Sequence, residues 1–191
     1  MELEVRIARA FEELEEIYKL RYQIYSQVGY IKKEDYPDGK ETDKWDKFSE
    51  HFYVYSKSEK KTVGAMRFVP DSEKGFPIEE LYDISFLRKK YKNVVEVSRR
   101  ITLPNRPKAN YLLLQMMCQY AKLKSITCLL CSVNPTAFAF YDKLGCIQFG
   151  EEKFYKEVNM PAIGMYLEVD NLKPPYNKKL FEPFETVILG E

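Results

Sequence analysis

Net charge is the first thing this sequence lacks. Its 191 residues carry 30 basic and 29 acidic side chains, a balance of +1. No global field therefore marks the chain for nucleic acid or for an anionic membrane, and any partner must be met by local patches. No apolar run approaches the roughly 18 residues that a membrane-spanning helix needs. Met1-Glu2-Leu3-Glu4 lacks the basic-then-apolar pattern of a secretory signal, so a cytoplasmic location is expected. Histidine occurs once, at His51, and tryptophan once, at Trp45. Of the four cysteines, Cys128 and Cys131 form a C-x-x-C inside the apolar run Ile126 to Cys131. Residues three apart on a strand point to opposite faces, and no second pair follows, so these thiols read as small core hydrophobes and no metal site is expected.

What remains is a chain of single-domain length with clear periodicities. Glu2 to Ala8 alternates as a strand. Phe11 to Val28 has helical spacing and places Arg21 on its apolar face. Lys32 to Ser49 is a long polar loop. Strands follow at His51–Tyr55 and Thr62–Val69, a helical or irregular stretch at Pro77–Lys92, and a strand from Val94 to Leu103. Arg106-Pro107-Lys108 reads as a basic turn before a helix from Asn110 to about Lys122, with further strands at 126–132, 148–156 and 162–169. The expected fold is α/β (α+β): one mixed sheet with helices on both faces. Residues 1–169 form the domain, and 170–191, with three prolines and the aromatics Tyr176, Phe181 and Phe184, a C-terminal strap packed on it.

Ser132 to Gly145 carries the most information. After the apolar run, Asn134 suits a helix cap and Pro135 the first helical position. Ala137, Phe138, Tyr141 and Leu144 form an apolar stripe, and Gly145 ends the helix. This order resembles the last conserved motif of the GNAT acyltransferase superfamily, with Cys146 where an aromatic residue is usual. The resemblance implies a splayed strand pair that grips the pantetheine arm of a thioester donor, with Asn134 beside it. It also implies that Tyr141 protonates the leaving thiolate; a core tyrosine in a helix is the plain alternative.

Four more segments extend the likeness over residues 15 to 105: helical Arg21, the loop Asp43-Lys44-Trp45-Asp46, and the strand pieces Gly64-Ala65-Met66-Arg67 and Glu96-Val97-Ser98-Arg99. They resemble the acyl-homoserine-lactone synthases and the related long-chain N-acyl amino acid synthases. The residues make physical sense alone. Glu96 sits in an apolar strand, where a carboxylate costs several kcal/mol unless paired or protonated. Arg21, Arg67, Arg99 and Arg100 are candidate partners. Strict alternation puts Arg100 on the Glu96 and Ser98 face, and a β-bulge would exchange it for Arg99. Glu96 is either the base that deprotonates an acceptor amine or one member of a structural ion-pair network. Arg21 is expected to hold either the acceptor carboxylate or Glu96. The resemblance places Asp43, Trp45, Asp46, Arg67 and Arg99 at the acceptor; a solvated loop with one aromatic anchor is the alternative for the first three.

For the donor, the family turn R/Q-x-x-G-x-G/A corresponds here to Arg106-Pro107-Lys108-Ala109-Asn110-Tyr111. It has no glycine, and Pro107 removes a backbone donor. That favours the single phosphate of acyl carrier protein over the pyrophosphate of CoA, with no resident cofactor. Ile101, Leu103, Arg106, Lys108, Tyr111 and Asn134 are the expected donor contacts, and Arg88, Lys89, Lys90 and Lys92 would join Arg106 and Lys108 in a basic surface for the carrier. Large apolar residues such as Met117 and Phe138 would wall an acyl tunnel. The acceptor is a free amino acid such as tyrosine or, as in the lactone synthases, S-adenosylmethionine; no adenine-binding feature stands out. A non-catalytic lipid-binding module is the remaining reading.

Overall fold

The computed structural model describes residues 2–182 and the backbone of 187–188. One sheet organises them. Strand β1 (Leu3–Ile7) pairs antiparallel with β2 (Glu50–Ser56), β2 with β3 (Lys61–Pro70), and β3 with β4 (Val94–Thr102). β4 then runs parallel to β5 (Cys128–Val133), which pairs antiparallel with β8 (Met160–Glu168). β8 also takes the short strands β6 (Ile147–Gln148) and β7 (Lys153–Tyr155), and β9 (Val187–Ile188) lies parallel to β1.

Helix α1 (Phe11–Gln27) covers one face and α3 (Pro107–Leu123) the other. The smaller helices are α2 (Ser85–Lys90), α4 (Phe138–Leu144) and α5 (Tyr176–Lys179). Alternation along the strands sorts the core accordingly. Phe52, Met66, Val97 and Leu129 pack under α3, while Tyr53, Ala65 and Ile101 pack under α1. Cys131 belongs to the α3 side and Cys128 to a third cluster around Trp45 and Ile78, so the two thiols do face apart.

α3 starts three residues before its expected position because Pro107 occupies its first turn, where a missing N–H costs nothing. The expected strand 148–156 is reduced to two short pieces. Gly145 has φ of +115°, and a Cβ there would meet Asn171 O at 3.1 Å, so a side chain would strain this helix end twice over. The chain after β8 runs back along α3. Tyr111 Oη donates to Lys179 O at 2.8 Å, and Gln119 Nε2 to Glu182 O at 2.7 Å. Phe184 lies outside the described residues. No helix among the described residues is long and apolar enough to cross a membrane.

Two features of β4 make the site. It pairs with β5 only from Val94 to Glu96 and then parts from it, since β5 follows β8 to Val133 while β4 follows β3 to Thr102. The two strands splay into a wedge. At the point of parting β4 bulges: Arg67 faces Ser98 and Ala65 faces Ile101, leaving Arg99 and Arg100 opposite one residue. Arg99 is held at φ of 54°, a strained value for a long side chain.

Candidate active site

The bulge sends Arg99 to the α1 face and Arg100 to the wedge. On the α1 face Arg99 completes a closed ring of six buried or nearly buried charges. Arg21 pairs with Glu41; Glu41 with Arg99 at 3.0 Å; Arg99 with Asp43 at 2.9 Å; Asp43 with Arg67 at 2.5 Å; Arg67 with Asp46 at 2.7 Å; and Asp46 with Arg21 at 2.6 Å. Three guanidinium groups alternate with three carboxylates, so the ring is neutral. Further bonds fix it: Asp43 N donates to Asp46 Oδ2, Trp45 N to Asp43 Oδ1, and Arg67 Nε to Ser98 Oγ. Burial would raise the Asp46 carboxyl, but Arg21 and Arg67 more than reverse this and hold it far below its ordinary value; Glu41 and Asp43 are also lowered.

Glu96 is left out. Its side chain is buried, 2% exposed, and among the described residues no cation lies within ion-pair distance. The bond the structure gives it comes from Ile78 N to Oε2 at 2.8 Å. Burial pushes its carboxyl up to about 8, against smaller opposing effects of that N–H and of Arg67 and Arg99. The expected pairing of Arg21 with Glu96 is therefore corrected: Arg21 is fully buried and its anions are Glu41 and Asp46. Sequence reasoning missed Glu41, which a polar loop rich in acids does not single out. Charge arithmetic could have found it, since three arginines in apolar elements require more anions than Asp43 and Asp46.

Three connected spaces surround the wedge. A cavity of about 320 Å³ fills it, lined by Ser98 to Ile101 of β4, Leu129 to Val133 of β5 and the following Asn134, Tyr25 and Tyr30, Tyr141, and the apolar Met117, Leu144 and Cys146. An annex of about 50 Å³ shares Tyr25, Ser98, Arg99 and Ser132 with it and reaches Glu96 and Tyr155. An open mouth of about 590 Å³ leads outward between Ile24, Val28, Arg100, Leu103, Arg106, Asn110 and Phe140. Ser132 Oγ is buried in the shared wall without a partner among the described residues, a second group that sequence reasoning missed.

The remaining expectations divide by position. Ile101, Leu103, Arg106 and Asn134 line the wedge or its mouth. Asn134 Oδ1 caps the turn at Thr136 N and its Nδ2 donates to Tyr30 Oη at 3.1 Å. Tyr141 Oη accepts from Arg100 at 2.9 Å. Trp45 lines none of the three spaces; it is an anchor packed with Ile78 and Leu87. Asp43, Asp46, Arg67 and Arg21 likewise line none, and of the ring only Arg99 does. Lys108 and Tyr111 lie on α3 outside the mouth, and Phe138 lines neither the wedge nor the mouth. The single basic surface does not form. Arg88 is engaged by Asp71 and Glu79, and Lys90 by Glu168, at the opposite end of β4 from Arg106 and Lys108, roughly 25 Å away at about 3.3 Å per residue.

A wedge between two parting parallel strands, capped by a tyrosine-bearing helix and holding a buried carboxylate, defines the GNAT-like acyltransferase class. The sequence model of FeeM, N-acyl amino acid synthase, matches residues 16–168. The chain belongs to that family and is an N-acyltransferase with a thioester donor. Among solved structures it is similar to FeeM from uncultured soil microbes, at 24% identity over 88% of this chain and 90% of that one, with a TM-score of 0.75. It is also similar to BjaI, a CoA-dependent acyl-homoserine lactone synthase solved with MTA (14% identity, 94% and 88% coverage, TM-score 0.69), and to the AHL synthase LasI (16% identity, 100% and 98%, TM-score 0.69). No curated protein sequence matches the chain.

Proposed function

We propose that the protein moves a long-chain fatty acyl group from acyl carrier protein to the amine of a free amino acid, tyrosine being the first to try. The observation that carries this is Glu96, a carboxylate excluded from a neutral ion ring and lining the annex beside the cavity between the splayed strands. An acceptor ammonium must lose a proton before it attacks a thioester, and a carboxyl near 8 is matched to that task. The acceptor's amine reaches Glu96 through the annex, where Ser98 and Ser132 offer hydroxyl partners, and the rest of the acceptor extends into the adjoining cavity. The acyl chain lies against Val97, Met117, Leu129 and Leu144. Beyond Glu96 the β4 backbone has no β5 partner, so its free amides serve the tetrahedral oxyanion. The pantetheine arm enters by the mouth, where the glycine-free turn of Arg106 to Tyr111 suits one phosphate rather than two.

The test is mass spectrometry of products from purified protein, long-chain acyl carrier protein, the amino acids and S-adenosylmethionine. Acyl amino acids are expected. An acyl lactone would move the protein to the other branch of the fold, and equal turnover from acetyl-CoA would remove the carrier as donor.

A further inference from the structure

Arg100 is the cation that the ring does not use. Its partners are neutral: Nε and Nη2 donate to Tyr141 Oη at 3.2 and 2.9 Å, and Nη1 donates to Asn110 Oδ1. Its guanidinium lies 5.5 Å from the Phe140 ring centre and 5.3 Å from that of Tyr141. Among the described residues no carboxylate is within ion-pair distance, although Arg100 is partly buried in the neck between mouth and wedge. Arg99, one residue away, has two carboxylates. A partly buried cation with only neutral partners stands where an anion will form during the reaction.

We infer that Arg100 is a positioning residue that acts through Tyr141, making its phenol the proton donor to the departing sulfur. This rests on the thioester reading above. The two N–H bonds occupy the acceptor side of the phenol oxygen, and no described group accepts the phenol proton, which is thus free in the cavity wall for a substrate atom. The arrangement answers a specific difficulty. A phenol, at about 10, is a weaker acid than a thiol at about 8.5, and burial raises Tyr141 further, with Arg100 opposing. Proton transfer to a thiolate is uphill unless the tyrosinate is stabilised, and two charge-assisted hydrogen bonds from one guanidinium do that.

The step balances. The acceptor ammonium gives one proton to Glu96 and on to solvent. The amine nitrogen forms the C–N bond, and the C–S electron pair leaves on sulfur, which takes the Tyr141 proton. The second amine proton leaves through Glu96 and returns to the tyrosinate by way of solvent. Ammonium and thioester become amide, thiol and one released proton.

The test varies the leaving group. The same acyl chain is supplied on N-acetylcysteamine, an alkyl thiol, and on 4-nitrothiophenol, whose thiolate departs without protonation. Arg100→Gln and Tyr141→Phe should each slow the alkyl thioester by about 10²-fold and the aryl thioester by far less. The double variant should be no slower than Tyr141→Phe alone. Should Arg100→Gln fold poorly in thermal melts, Asn110→Ala, which frees the other end of Arg100, should give a smaller loss with the same donor pattern. Equal losses on both donors, or losses that multiply in the double variant, overturn the role of Arg100. Failure of the unaltered protein with both donors and also with the same acyl chain on acyl carrier protein overturns the thioester reading instead.

Discussion

β4 delivers charge to two places that are neighbours in sequence and opposite in character. On the α1 face, Arg99 joins Arg21 and Arg67 with Glu41, Asp43 and Asp46, and every charge in the ring has two partners of the other sign. In and beside the wedge, Glu96 has a single backbone N–H and Arg100 has a phenol and an amide. Burial is similar for the ring and for Glu96, so burial does not separate them; ion pairing does. A set of buried charges that are all ion-paired loses most when one member goes, even with Arg21 Nη2 and Arg67 Nη2 left without a hydrogen-bond partner among the described residues. An incomplete one is poised to exchange a proton or accept an opposite charge. Ring and wedge should therefore respond differently to the same kind of substitution.

The largest difference should appear at Glu96. Glu96→Gln keeps an acceptor for Ile78 N but cannot take a proton, so turnover should fall by about 10² to 10⁴-fold. Stability at pH 8 should match or exceed that of the unaltered protein, because a carboxylate that resists ionisation has been removed. Steady-state kinetics beside denaturant melts decide this, and normal turnover in the folded variant would sink the base. Arg21→Met should do the reverse. It strands Glu41 and Asp46 and should cost about 3–5 kcal/mol of folding stability, while what remains folded keeps its acceptor KM. Arg21→Lys, which retains charge but not the fork, should cost less. A raised acceptor KM in Arg21→Lys at unchanged stability would return Arg21 to the substrate.

Five of the six ring residues were legible in the sequence, as contacts for the acceptor and not as a ring, and the wedge was legible only in part, for a physical reason. Charged residues inside apolar periodicities announce themselves, as Arg21 and Glu96 do, whereas Arg67 and Arg99 stand out through the family resemblance. Their pairing was misjudged because contact between α1, the loop and β3 is set by tertiary packing, which no local spacing encodes. Glu41 is one acid among several in its loop. Ser132 and Tyr155 are ordinary strand residues until β4 and β5 part. Arg99 and Arg100 could be told apart only through the bulge, whose positive φ carries no sequence mark at an arginine.

The two regions also separate by pH. Glu96 has a folded value of about 8 against an ordinary 4.5, so the folded state holds the extra proton between them. Its contribution to stability is complete below about 4.5 and is lost as pH rises toward 8. The ring carboxylates are depressed, so theirs is present above the ordinary carboxylate range and is lost as pH falls through their folded values. Stability should peak at mildly acidic pH. Glu96→Gln should flatten the alkaline slope alone, and Arg21→Met should shrink the acid limb alone. Parallel curves for Glu96→Gln and the unaltered protein from pH 5 to 8 would show that Glu96 titrates normally.

The smallest effect concerns volume rather than charge. The α1 face around Ala65 is filled, since that side chain is fully buried between β3 and α1. Cys131 borders the empty wedge instead. Adding the same bulk should therefore have two outcomes. Ala65→Leu overpacks a closed layer and should lower stability by about 1–3 kcal/mol without changing the product. Cys131→Leu fills space that the acyl chain would otherwise occupy, so stability should hold while the product distribution moves to shorter chains. A pocket discriminates about 1–3 kcal/mol per methylene, enough to make the shift visible by mass spectrometry. If Cys131→Leu melts early and leaves chain length untouched, the wedge is closed in solution and the acyl group binds elsewhere.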